Sequence, residues 1–187
     1  LIRAPRRGRA TMTSNEASLP MGILERTPGV ARMHVHTSEK MLSDHELGDV
    51  KTASTLFSAD GRLLACVGAA DVTIYDTMSN AVVRTIACPG TIATHFSPGA
   101  TFLSTYQKAN ASGAGDEKNL SVWRVATGEK VYACFQKSFQ SAFWPYLQFS
   151  DDDAVACRAV TNEVHFFRTD DFETRATRLR VPQIALG

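Results

Sequence analysis

The sequence predicts an all-β fold, an incomplete arc of about three four-stranded propeller blades, from three observations. The segments "TLFSADGRLL", "THFSPGATFL" and "LQFSDDDAVA" share a Phe-Ser opening, which places Phe57, Phe96 and Phe149 39 and then 53 residues apart. Behind each opening come short runs rich in β-branched and aromatic residues, bounded by Gly, Pro, Asn and Asp turn signals. There are four such runs per copy, which is the anatomy of a propeller blade.

The first and third copies align without a gap. Fifteen residues after Phe57 stands "VTIYD", and fifteen after Phe149 stands "VHFFR". In the middle copy "LSVWR" begins 24 residues after Phe96, and the intervening "QKANASGAGDEKN" has no apolar periodicity. Residues 107–119 therefore read as a loop insertion, which accounts for most of the unequal spacing. Strands are expected over residues 63–67, 72–76 and 81–86 in the first copy, 92–97, 101–106, 120–125 and 130–135 in the second, and 146–150, 154–158 and 164–168 in the third. "ETRATRL" supplies the outermost run of the third copy, and helix is nearly absent. Tyr75, Trp123 and Phe167 share one slot in the third strand of each unit. A lone sheet of this kind leaves both faces wet, so the slot reads as a packing position between stacked blades.

Composition bounds the rest. With 187 residues, 44% apolar and 21% charged, the chain is an ordinary globular sequence with enough length to bury a core. No apolar run approaches the roughly 18 residues of a spanning helix, and no membrane partner is expected. The formal charge of +1 hides an asymmetry, since Arg3, Arg6, Arg7 and Arg9 precede every acid. Without these four, 16 basic residues face 19 acidic ones. The body is mildly acidic, with no basic footprint for nucleic acid. Residues 1–20 read as a disordered leader: "LIRAPRRGRAT" is Arg-rich like an organellar presequence but lacks its amphipathic face, and reads as upstream sequence ahead of Met12 or Met21. Cys66, Cys88, Cys134 and Cys157 form no Cys-x-x-Cys pair and read as buried thiols.

A search for chemistry yields no catalytic, cofactor-binding or metal-ligating assignment. His34-x-His36 places two imidazoles on one face of a strand, without a third ligand nearby in sequence. Asp151-Asp152-Asp153 falls in the turn between the first two strands of its copy, where Asp60-Gly61 and Pro98-Gly99 stand in the others, and reads as a solvated turn. Gly113 and Gly115 lack the Lys-Ser/Thr of a phosphate loop, and the Asn-x-Ser matches at Asn110 and Asn119 carry no weight without a secretory signal. The expectation is a binding protein and not an enzyme.

The pattern "FSPGATFLSTY…LSVWRVATGEKV" is similar to a WD40 repeat, although the Gly-His dipeptide is missing and only Tyr75-Asp76 keeps an acid after the aromatic. "TNEVHFFR", with "FSDDD" before it and "ATRLRVPQIAL" after it, resembles the N-terminal propeller of the eukaryotic translation initiation factor 2A family. "TLFSADGRLLA", "NLSVWRVATGEKVYACFQK" and "ILERTPGVARMHV" extend the resemblance over roughly residues 22–187. It implies that residues 21–187 are the N-terminal part of a longer WD40-like propeller. It further implies a cytoplasmic factor without a cofactor, whose partners are the small ribosomal subunit, initiator tRNA delivered independently of GTP, mRNA and other initiation factors. Which residues touch the ribosome is left unassigned. The runner-up reading is the b subunit of translation initiation factor 3 or a generic WD40 protein-interaction scaffold, although no RNA-recognition motif precedes the repeats.

Overall fold

The computed structural model describes residues 21–27, 30–36, 40–47, 54–108, 118–172 and 177–181. Four antiparallel sheets stand in chain order, each with its strands side by side in sequence. The first copy is the sheet β4 (Ser54–Phe57), β5 (Leu63–Val67), β6 (Asp71–Asp76) and β7 (Val82–Ala87). The second is β8 (Thr91–Phe96), β9 (Phe102–Gln107), β10 (Leu120–Arg124) and β11 (Lys130–Cys134). The third is β12 (Gln148–Phe149), β13 (Val155–Val160), β14 (Glu163–Arg168) and β15 (Arg178–Arg180). Every strand boundary expected for 63–168 agrees to within two residues, and the outermost strand of the third copy is described at Arg178–Arg180, overlapping the end of "ETRATRL". A single 3-10 turn, Ser141–Phe143, is the one helical element among the described residues.

A further sheet of three strands precedes the three copies that the repeat pattern marks. It comprises β1 (Met21–Thr27), β2 (Val30–His36) and β3 (Met41–Glu46), so the arc has four units. Its Phe-Ser signature is missing, and charged residues alternate along it, which hid it from the repeat alignment. The expected leader, residues 1–20, and the centre of the expected insertion, 109–117, lie outside the described residues. β9 ends at Gln107 and β10 begins at Leu120, as the insertion requires.

The Phe-Ser repeat records one turn built three times. In each, the serine carbonyl accepts from the residue three positions on (Gly61, Ala100 and Asp153, all at 2.9 Å), and each of those residues has positive φ, between 55° and 70°. The serine Oγ then accepts the amide opening the next strand, from Leu63 at 2.9 Å, Phe102 at 3.0 Å and Val155 at 3.0 Å. Such hydroxyl-to-backbone bonds replace ladder bonds that the bend interrupts. The hydroxyl proton must go to an acceptor. Ser58 donates to Asp60 and Ser150 to Asp152, two residues on, each at 2.6 Å.

The middle turn has Gly99 at that position, and its acceptor comes from the neighbouring sheet. Ser97 Oγ donates to Asp153 Oδ2 at 2.7 Å, while the amides of Thr101 and Gly99 donate to the same carboxylate, each at 3.1 Å. Asp153 is 4% exposed. This corrects the reading of Asp151–Asp153 as a wholly solvated turn: Asp151 and Asp152 are exposed, but Asp153 points into the seam because its left-handed backbone turns it inward. Glycine is needed at 99 for space, since a Cβ there meets Asp153 Oδ2 at 2.8 Å.

Three apolar seams join the four sheets. Met33 meets Leu64 and Cys66 in the first. Val67, Ile74 and Ile86 meet Phe96, Leu103 and Trp123 in the second. Phe102, Leu120 and Val122 meet Leu147, Ala156 and Phe167 in the third. Tyr75, Trp123 and Phe167 each face the preceding sheet, as the slot reading expects, and Trp123 Nε1 donates to Thr105 Oγ1 at 2.9 Å. Outer strands also reach forward across the seams. His45 Nε2 donates to the Met78 carbonyl at 3.0 Å, and Arg84 Nη2 donates to the Ala126 carbonyl.

Two outcomes are expected. Asp153→Ala strips an acceptor from three buried or half-buried donors and should cost about 3 kcal/mol in urea unfolding, with Asp153→Asn costing roughly half as much. Gly99→Ala should be less damaging in the Asp153→Ala background than in the native chain, because the oxygen its methyl strikes is gone; additive losses would show that the carboxylate does not hold this turn. In the third seam Tyr132, packed on Phe167 and Phe172, has its phenol pKa pushed up to about 12, first by burial and then by Cys134. A phenol raised above its unfolded value of about 10 favours the folded state below that pH and ceases to do so as pH climbs towards the folded value. Stability measured between about pH 10 and 12 should therefore fall less steeply in Tyr132→Phe than in the native chain.

Candidate interaction surface

The two ends of the sheets differ in chemistry. At one end, each turn between the first and second strands is tied to the turn after the third. Thr77 Oγ1 donates to the Gly61 carbonyl at 2.7 Å, Val125 N to Thr101 at 2.9 Å, and Thr169 Oγ1 to Asp153 at 2.5 Å. The polar groups of these ties are consumed internally. Asp76, held below the usual carboxylate range by hydrogen bonds from Ser79, caps its own turn.

The opposite end carries the flanks of the insertion, 107–108 and 118–119, and the 135–147 connection between the last two sheets. Asn119, buried, clamps Gln136 by accepting from its amide at 2.8 Å and donating to its carbonyl at 3.0 Å. Its side chain is thus engaged in structure, which gives a physical reason to set aside its Asn-x-Ser match. Gln107 Nε2 donates to the Pro89 carbonyl at 2.9 Å and Lys108 N to Gly90 at 3.0 Å, drawing a third connection into the same region.

An aromatic cluster fills this end. Tyr106 lies 5.1 Å from Phe139 between ring centroids, and Phe139 5.8 Å from Trp144, which lies edge-on to Tyr146 at 5.8 Å. Tyr146 Oη accepts from Gln140 N at 2.6 Å and donates to the Ser138 carbonyl at 3.0 Å, so one ring fixes the connection's path. Trp144 Nε1 donates to the Thr94 carbonyl at 3.3 Å. Arg158 braces the base through Gln136 Oε1 at 2.9 Å and the Phe135 carbonyl at 3.3 Å. Phe135 and Phe143, both on the 135–147 connection, remain 45% and 46% exposed, and Lys108, Lys118 and Lys137 are exposed as well. Exposed rings on a rigid base with a polar rim are what a binding surface requires. The signal in sequence was the density of aromatics in "CFQKSFQSAFWPY", which the repeat alignment passed over as a connection.

His34 and His36 have ring centroids 6.3 Å apart, and His34 sits between Glu25 (3.3 Å) and Asp44 (3.5 Å); no group of three or more His, Cys, Asp or Glu arranged to hold a metal occurs among the described residues. Gly113, Gly115 and Asn110 lie outside the described residues. Cys66 and Cys88 are buried and Cys134 and Cys157 half-buried, and burial pushes the thiols of Cys88, Cys134 and Cys157 up, away from nucleophilic thiolate. Burial likewise lowers the His95 pKa and favours its neutral form. No described helix is long and apolar enough to cross a membrane.

Comparison with known proteins agrees with this geometry. No protein-family model matches the chain. Eukaryotic translation initiation factor 2A of Schizosaccharomyces pombe is 34% identical over 131 residues, covering 69% of this chain and 22% of that protein. The same factor from Dictyostelium discoideum is 29% identical over 129 residues, and that from Caenorhabditis elegans 27% identical over 131. The chain spans about a fifth of the length of these curated relatives. Among solved structures, a crystal structure of a eukaryotic initiation factor superposes with a TM-score of 0.74 at 28% identity, over 88% of this chain and 41% of that one. The C-terminal WD40 domain of Sif2, at 11% identity and a TM-score of 0.51, covers 85% of this chain and 44% of its own, and shows the fold alone. The four-sheet arc is therefore a WD40-type propeller segment, and the chain belongs to the eukaryotic translation initiation factor 2A family.

Proposed function

We propose that the full-length protein carrying this chain is a cytoplasmic translation initiation factor that binds the small ribosomal subunit, with initiator tRNA delivered independently of GTP, and acts by binding without catalysis. The observation that carries this reading is the 34% identity to a protein of that name over 69% of the chain. Engagement of mRNA and of other initiation factors belongs to the same reading of the longer protein. This segment supplies a shaped protein-binding surface at the aromatic end of its sheets.

Charge supports that mode. After residue 11 acids outnumber bases, and the exposed lysines of the aromatic end are Lys108, Lys118 and Lys137. Three phosphate contacts give a salt slope of roughly −3 at most, on about 0.9 per contact, which is shallow beside a dedicated nucleic-acid binder. Contacts to ribosomal proteins or sibling factors meet this limit better than contacts to RNA.

Co-sedimentation of full-length protein with purified small subunits across a salt series tests the proposal. Binding is expected at low salt. Alanine at Phe135 and Phe143 together should weaken it by about tenfold or more with little change in salt slope, as loss of a buried aromatic anchor does. Failure of the full-length protein to co-sediment even at low salt would favour a generic scaffold. A steeply salt-dependent component lost on deleting residues 21–187 would transfer the contact from protein to RNA.

A further inference from the structure

At the end opposite the Phe-Ser turns, the third seam opens into a basic mouth. Ala156 and Phe167 pair across β13 and β14 and face the preceding sheet inside this seam. Two residues on towards the opposite end, Arg158 pairs with His165, which pairs in turn with Arg178. The next rung of that face joins Val160, Glu163 and Arg180. The period of two along a strand puts all six on the face that Ala156 and Phe167 share. Arg178 and Arg180 are exposed and Arg158 is half-buried.

The preceding sheet meets this face with more positive charge. Arg158 bonds the Phe135 carbonyl and Gln136 Oε1, and Asn119 clamps Gln136, so the segments 118–119 and 134–137 lie together across the seam. Lys118 and Lys137 are the exposed neighbours of that clamp. Burial raises the Cys134 thiol pKa first of all, and Arg158 and Lys118 pull it back, which places both cations near one sulfur. On these two rungs and two segments stand five permanent cations and one carboxylate, Glu163, whose Oε2 lies 3.0 Å from His165 Nε2. Among the described residues none of the five has a carboxylate at ion-pair distance, whereas Arg32 and Arg168 do. Unpaired like charges repel one another, and an anion brought between them is attracted.

We propose that this mouth docks an acidic protein segment whose carboxylates, two residues apart, meet Arg178 and Arg180 and whose apolar side chain covers Phe135. The inference rests on the reading of this end as a protein-binding surface and names the chemistry of its partner. Arg178 and Arg180 stand about 7 Å apart along β15, the spacing of alternate side chains on an extended chain. Arginine presents a planar fork that takes a carboxylate through two parallel bonds. Phe135, 45% exposed with its carbonyl held by Arg158, supplies the apolar contact around which such ion pairs gain strength. A nucleic acid fits less well. Its charge runs on beyond the mouth, over a body in which acids outnumber bases after residue 11, while a short acidic segment ends where the cations do.

The test is fluorescence anisotropy of the full-length protein with an extended peptide of alternating Glu and Ser around a central Leu, its Gln-for-Glu and Lys-for-Glu counterparts, and a uridine oligonucleotide of equal charge. The Glu peptide should bind at least about tenfold tighter than the Gln peptide. Arg178→Glu with Arg180→Glu should remove that difference, and the Lys peptide should then bind the reversed protein better than the native one. Phe135→Ala should weaken binding of the Glu peptide about threefold or more. If the reversal disturbs the outer strand, seen as faster amide exchange in β14, Arg178→Gln with Arg180→Gln should still weaken binding, by a smaller factor. Equal affinity for the Glu and Gln peptides, or a preference untouched by either pair of substitutions, would end the proposal. Tighter binding of the oligonucleotide, lost with the same reversals, would give the mouth to RNA instead. Co-sedimentation with small subunits separates the two readings. A protein that co-sediments but ignores the Glu peptide sinks this inference alone, and one that binds the Glu peptide but never co-sediments sinks the ribosomal reading and leaves this one standing.

Discussion

A sheet of four short strands has two faces and no core of its own, and every other feature of this chain follows from the need to cover both. The burial is shared between neighbours, so each seam draws residues from two sheets: Val67 and Ile74 from one side, Leu103 and Trp123 from the other. Truncating a large side chain in such a seam removes contacts from two units, and costs of roughly 3–5 kcal/mol for a Trp or Phe are expected. Stability is therefore a property of the arc. The slot residue has to be large and flat, because it spans the gap to the preceding sheet. Its polar atoms need partners within the sheet, as Trp123 finds in Thr105.

Seams fix spacing, but apolar contact alone leaves sheets free to slide over one another. Directional bonds at the turn end resist this. The hydroxyl of Ser97 has the same two duties as those of Ser58 and Ser150, yet its acid comes from another sheet. With Gly99 where the other two turns have a local Asp, Asp153 enters the space left open, and the same bond geometry serves as a link between units instead of an internal turn brace. Buried carboxylates are tolerated when several donors converge on them. Asp153 has three such donors.

Most of the architecture was legible in the sequence because it is periodic. The gap-free alignment of Phe57 and Phe149 fixed the strands, and the nine-residue excess in the middle copy located the insertion. Two things escaped. The first sheet lacks the Phe-Ser turn among its described residues and alternates charged side chains along its strands, so the repeat pattern did not reach it. Asp153 was read with Asp151 and Asp152 as one acidic run, although it stands at the left-handed position shared with Gly61 and Ala100. Adjacent residues in a turn point in different directions, and composition does not report direction. The aromatic end was hidden for a related reason: a connection between repeats has no period to betray it.

The same comparison of equivalent positions separates structural sites from sites free to evolve. At the turn end Thr77, Thr169 and Asp153 each bond across from one turn to another, and a change there disturbs the stacking of sheets. At the opposite end Tyr106, Trp144 and Tyr146 form a base whose bonds are satisfied, and Phe135 and Phe143 stand out from it without structural duty among the described contacts. Side chains that are costly to expose and contribute little to the fold call for another explanation, and recognition of a partner supplies it.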